Sequence, residues 1–201
     1  SHAEASQTVP VRLTPQPRGT WRWIGTRTIL FDPEDQRLPM ATRFTVEVPA
    51  GTKPQTGAAL DAAASWTFTT PPPRLTQHHP GGTSQPLQPL ILLAFDQRVD
   101  PAAVLRTTRV QAAGHDEALA LRLADDQEVA ADPRLLDLRK DLQPGRWLVA
   151  RPVKPLPGAS TITVAVQAGT ASAEGPLTTA GVQSFSFQTY GPLQVTNHRC
   201  G

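Results

Sequence analysis

The chain has 201 residues, 39% of them hydrophobic, enough for one large domain or two ordinary ones. Its 21 prolines and 14 glycines interrupt it too often for long helices and suit short strands joined by turns. A net charge of +2, with the 19 Lys and Arg spread along the whole length, argues against a nucleic-acid protein, and no apolar run nears the roughly 20 residues of a membrane-spanning helix.

In chain order, the first predicted strand is the alternating "VPVRL" with Val9, Val11 and Leu13, and the second carries Trp21, Arg22 and Trp23. Two readings of that trio stand open. Alternation places both tryptophans on one face as core anchors with Arg22 turned to solvent; if all three were exposed together they would form a stacking platform for a ligand. After Pro71–Pro73, a stiff extended connector, strands are predicted at Arg74–Pro80, Leu90–Asp96, around Val110, and at Leu119, Leu121 and Leu123. Asp100 followed by Pro101 reads as the cap of a short helical turn over Ala102–Leu105.

Residues 125–142 have no β pattern and predict a short helical insertion. Asp125 with Glu128 has the spacing of a capping box, Asp132 precedes a proline suited to the first helical position, and Leu135, Leu138 and Leu142 recur at helical spacing. Trp147 then opens a strand on which it faces opposite Leu148, which places it over the sheet surface against the insertion.

The chain repeats itself. Thr28–Thr70 can be laid on Trp147–Thr189 with its landmarks in order: Pro33 on Pro152, Leu38-Pro39 on Leu156-Pro157, Phe44–Val48 on Ile162–Val166, Gly51 on Gly169, and Trp66 and Phe68 on Phe185 and Phe187. In each copy the alternating apolar residues, Trp66 and Phe68 included, are expected to face a core. The second copy has seven predicted strands between residues 73 and 190, the make-up of an Ig-like sandwich. The first has no counterpart of Arg74–Pro80 or Leu90–Asp96, so two strands are expected to be missing from it and the chain to be a piece of a longer one. Uncovered sheet edges would then invite a dimer or a strand swap.

The expected architecture is all-β: a truncated Ig-like antiparallel sandwich over residues 1–72, a complete one with the helical insertion over 73–190, and the first strand of a following domain over 191–201. No catalytic, metal or cofactor set is predicted, and no cofactor. Adjacent His78 and His79 point to opposite faces of a strand, which suits two solvated side chains better than one shared ion, and Asp96 and Asp100 read as a strand end and a helix cap rather than a calcium loop. Cys200, the single cysteine, is either an ordinary thiol or half of a disulfide with a residue outside the chain.

The stretches "PLILLAFDQRVDPAAV", "PVKPLPGASTITVAV" and "SFSFQT" resemble the bacterial Ig-like module. More narrowly, "WRWIGTRTILFDP", "RLPMATRFTVEVPAGT" and "WTFTTPPP", with "SAEGPLTT" and "QSFSFQTYGPLQV", are similar to the N-terminal region of large bacterial alpha-2-macroglobulin family proteins. That resemblance implies a non-catalytic spacer in a periplasmic or extracellular protease inhibitor, any membrane anchor lying outside residues 1–201. Its partners would be neighbouring domains and, through the full-length protein, target proteases. It implies that Cys200 is not the family's thioester cysteine and pairs with another shortly beyond it. The competing reading is an accessory glycan- or cell-wall-binding module, with Trp21, Arg22 and Trp23 as its surface.

Overall fold

The computed structural model describes residues 9–25, 28–53 and 58–191, and they are mostly β. The chain divides into two compact units, Ser1–Pro71 and Pro72–Gly201. The expected following strand and Cys200 lie outside the described residues, apart from Gly191.

The first unit contains β1 (Arg12–Thr14), β2 (Gly19–Ile24), β3 (Thr28–Pro33), β4 (Arg43–Val48) and β5 (Ala64–Thr69). They form a three-stranded sheet in the order β1-β4-β5 and a β2-β3 hairpin. The second unit contains β6 (Leu75–His79), β7 (Gly82–Gln85), β8 (Ile91–Phe95), α1 (Pro101–Thr107), β9 (Thr108–Ala112), β10 (Leu121–Leu123), α2 (Asp126–Ala130), α3 (Pro133–Leu138), β11 (Trp147–Pro152), β12 (Thr161–Val166) and β13 (Gln183–Thr189). Its two four-stranded sheets run β10-β11-β8-β6 and β7-β13-β12-β9.

The sequence repeat is a repeat of topology, with β1–β5 corresponding one for one to β9–β13. Phe44 lies opposite Phe68 as Ile162 lies opposite Phe187, and Val46 sits between Leu13 and Trp66 as Val164 sits between Val110 and Phe185. Local devices repeat too. Thr70 Oγ1 donates to the Pro39 carbonyl at 2.8 Å and accepts the Thr42 N–H at 3.0 Å; Thr189 does the same with Pro157 at 2.6 Å and Ser160 at 3.1 Å. The residues just ahead, Ala41 and Ala159, both take a left-handed φ, 54° and 51°. For a residue with a Cβ that conformation costs about 1–2 kcal/mol, so its occurrence at matching positions marks one shared backbone design. Gly51 and Gly169 also match, at φ 79° and 85°, where glycine makes the turn without strain.

The second unit is a closed sandwich. Ile91, Leu93 and Phe95 of β8 and Leu148 and Ala150 of β11 meet Val110, Ile162, Val164, Val166, Phe185 and Phe187 of the other sheet in one buried cluster. The helical insertion forms as its capping signals direct. Asp125 accepts the Glu128 N–H at 2.8 Å, and Asp132 accepts the N–H groups of Arg134 and Leu135 at 2.9 and 3.2 Å. It covers the outer face of the β10-β11-β8-β6 sheet, where Val129 and Leu135 pack with Leu92, Val149 and Trp147. Hence β8, roofed on both faces, is buried at all five positions. Trp147 sits where its register predicts, with the Arg139 guanidinium 5.6 Å from its ring centre.

Four expectations need correction. Among the described residues the second unit has eight strands, not seven: β7 pairs parallel with β13, and its sequence GTSQ carries no apolar alternation by which it could be recognised. Among the described residues the first unit therefore lacks counterparts of three strands, β6, β7 and β8, rather than two. Trp66, expected in a core, is 51% exposed, because among the described residues no strand covers that end of its sheet, while its counterpart Phe185 is 8% exposed. Leu123, at the end of an edge strand that hands over to the insertion, is also exposed, leaving Leu119 and Leu121 alone of the three against the core.

Candidate functional site

Of the residues singled out in the sequence, Trp21 and Trp23 lie on the first unit's apolar face. Along β2, alternation turns Trp21 and Trp23 to one side and Arg22 to the other. Trp21 packs with Leu13, Phe44 and Val46 and meets the Phe31 ring edge-on, centroids 4.9 Å apart. Arg22, with 57% of its side chain exposed, pairs with Asp32 across the hairpin. The trio is thus split between two faces of a ribbon and does not form one platform.

Between the β2-β3 hairpin and the β1-β4-β5 sheet lies a groove of about 650 Å³. Trp21, Trp23, Ile29, Phe31, Trp66 and Phe68 supply much of its wall, and among its described lining residues only Thr52 is polar. The Trp23 indole N–H is buried beside it without an acceptor among the described residues. A wall of this kind suits aliphatic side chains; it offers none of the planar polar groups that fix a sugar, and no charge to hold an anion or a cation.

The other candidates fall into structural positions in the second unit. His78 stacks on the Phe185 ring at 3.9 Å between centroids, whereas His79 is on the opposite face, where burial first and then nearby Arg134 push its pKa down. Among the described residues no three His, Cys, Asp or Glu side chains are grouped to hold a metal. Asp96 accepts the Arg74 N–H at 3.0 Å, and Asp100 caps α1 by accepting the Ala102 N–H at 2.9 Å.

Glu128 does more than close its capping box, and sequence reasoning missed this. Arg122 of β10 donates to both its carboxylate oxygens, at 2.7 and 2.6 Å, and Arg151 of β11 adds a third bond at 2.5 Å. The signal lay in Arg122 and Arg151 being directly opposite each other on neighbouring strands, a pairing that needs the fold to be read. The Arg122 hydrogen bond first, then the Asp125 N–H and Arg151, hold the Glu128 carboxyl down to about 2 from its ordinary 4.5. A folded-state value below the unfolded one stabilises fully above about 4.5, and that contribution is lost as pH falls toward 2. Glu128→Gln should therefore flatten the acid limb of the second unit's stability, read as urea midpoints from about pH 2 to pH 7. An unchanged pH slope would contradict the assignment.

Fold and groove together define a class: two all-β sandwich modules in tandem, one closed, the other open along its interior. No family model matches the chain. It is similar to the alpha-2-macroglobulin homolog of Nostoc sp., 29% identical over 191 residues, a span that covers 90% of this chain and 10% of that protein. The family resemblance drawn from strand and turn positions thus has a sequence match along nearly the whole chain. Among solved structures, the N-terminal part of the bacterial S-layer protein SbsC aligns with 61% of this chain and 24% of its own length at 14% identity and a TM-score of 0.36, too slight a likeness to carry an argument. Among the described residues, no helix is long and apolar enough to cross a membrane.

Proposed function

We propose that the chain is a non-catalytic spacer and interaction segment of a secreted or periplasmic protease inhibitor of the alpha-2-macroglobulin type. The observation that supports this most is the alignment with the Nostoc homolog, which runs through both units rather than one. The chemistry of the chain suits the role. The buried apolar side chains of the second unit pack its two sheets together or seat the helical insertion, and the carboxylates that stood out in the sequence cap helices, pair with arginines or, at Asp96, accept a backbone N–H. Its partners in this reading are neighbouring domains of a longer polypeptide, and proteases only through that whole.

The test uses purified residues 1–201, incubated with peptide, ester and glycoside substrates and, separately, with a panel of proteases. The expected result is no turnover above buffer and no loss of protease activity. Turnover by the chain, or stoichiometric inhibition of a protease by these residues alone, would overturn the proposal.

A further inference from the structure

The groove of the first unit has a counterpart in the second, where it is filled. Its walls correspond position by position to the core around β8: Ile29 to Leu148, Phe31 to Ala150, Val46 to Val164, Val48 to Val166, Trp66 to Phe185 and Phe68 to Phe187. In the second unit, the inward side chains of β8, Ile91, Leu93 and Phe95, complete that core, and β8 pairs antiparallel with β11. In the first unit β3, the counterpart of β11, pairs with β2 alone among the described strands, so its other edge is unpaired just where the groove opens.

We propose that this groove is the seat of a donated β-strand: an extended segment of the polypeptide flanking these residues in a longer chain, running antiparallel to β3 with three alternate aliphatic or aromatic side chains in the groove. The repeat gives the donor's direction and register, because the filled copy shows both. It also gives the donor's outer face. Leu92 of β8 is buried beneath the helical insertion, whereas in the first unit Ile24 ends β2 opposite Thr28 of β3 and no helix among the described residues covers the hairpin. The donor therefore alternates apolar and polar residues where β8 is apolar throughout. Main-chain bonds to the β3 edge supply affinity and the three side chains supply specificity, as in other strand additions. Flanking polypeptide is available in a protein like the Nostoc homolog, of which this chain matches 10%. The inference rests on the modular reading of the first unit and not on any role in protease capture.

Three proteins test it: residues 1–201, the same chain with the strand Ile-Thr-Leu-Ser-Phe joined ahead of it by a Gly/Ser linker, and a control in which the three apolar residues of that strand are Ser. The joined donor should raise the unfolding midpoint of the first unit by about 5 °C or more and shield Trp66 from acrylamide, with the control unchanged. The same peptide added in trans should shield Trp66 with saturation, which keeps the test valid if the fusion misfolds. Equal behaviour of donor and control would overturn the proposal. So would a concentration-dependent dimer of residues 1–201 that already shields Trp66, which would make the occupant a second copy, or laurate shielding Trp66 while the peptide does not, which would make the groove a lipid pocket. None of these outcomes bears on the protease assay, so the two readings fail separately.

Discussion

Phe185→Ala lowers the stability of the second unit by about 3–4 kcal/mol, whereas the corresponding Trp66→Ala lowers that of the first unit by roughly half as much. The two residues occupy the same place in the same design, opposite Val164 and Val46 respectively. Phe185 is 8% exposed and packed against His78 and the core cluster, so truncating it removes transfer energy and leaves a cavity. Trp66, 51% exposed, keeps about half of its surface in water, and its removal widens a groove that is already open instead of leaving a closed cavity. The comparison is made by hydrogen exchange resolved to each unit, because a single unfolding curve would mix the two. With a strand joined into the groove, the cost of Trp66→Ala should climb toward that of Phe185→Ala. Equal costs in the chain as it stands would mean that Trp66 is already in a core.

Gly19→Ala unfolds or splays the β2-β3 hairpin at a cost of about 2–4 kcal/mol. Gly19 begins β2 opposite Pro33, at φ 154°, an arrangement that lets the ribbon close tightly around the Phe31 ring. A methyl there would fall inside contact distance of the Asp32 carbonyl oxygen and 2.6 Å from the ring edge of Phe31. The carbonyl is backbone, so the clash is relieved only by moving β3, and with it the Trp21–Phe31 contact that ties the hairpin to the Leu13, Phe44 and Val46 cluster. The effect is confined to the first unit. Thermal unfolding of the variant, followed by tryptophan emission and by the exchange of β12 amides, should show the early transition in the first unit alone. A variant as stable as the parent would mean that the hairpin is not held as described.

Much of this architecture was legible because the chain states its design twice. The placing of Phe44 and Val46 on one strand face and of Phe68 on a matching one follows from alternation seen twice, and the capping of α2 and α3 follows from Asp125, Glu128, Asp132 and Pro133. Trp147 was placed against the insertion by alternation alone. What failed was whatever depends on the other side of a face. Alternation put Trp66 on the inner surface of β5 but could not tell that little stands opposite it, and so the groove, the main feature of the first unit, had no signature of its own. Likewise Trp21 and Trp23 were read as sharing a face, yet whether that face met a core, a ligand or an opening was beyond any pattern along β2. β7 escaped because a Gly-Thr-Ser-Gln strand held by main-chain bonds to β13 has no hydrophobic period. The grip of Arg122 and Arg151 on Glu128 escaped because residues of three different elements meet only when β10, β11 and α2 are assembled.

The measurement that bears most directly on the account is residue-resolved amide exchange along β3 and β11, the corresponding strands of the two units. β11 is paired with β8 along Trp147–Ala150 and with β10 along Ala150–Pro152, so its amides about Ala150 and Arg151, where a partner stands on each edge, should exchange slowly whichever edge they face. Among the described strands β3 is paired with β2 only, so the amides of Thr28–Asp32 should divide, those directed at β2 protected and those on the other edge exchanging orders of magnitude faster. Slow exchange at every amide of β3 would show that a strand already closes the first sandwich and would contradict the open groove on which the account depends.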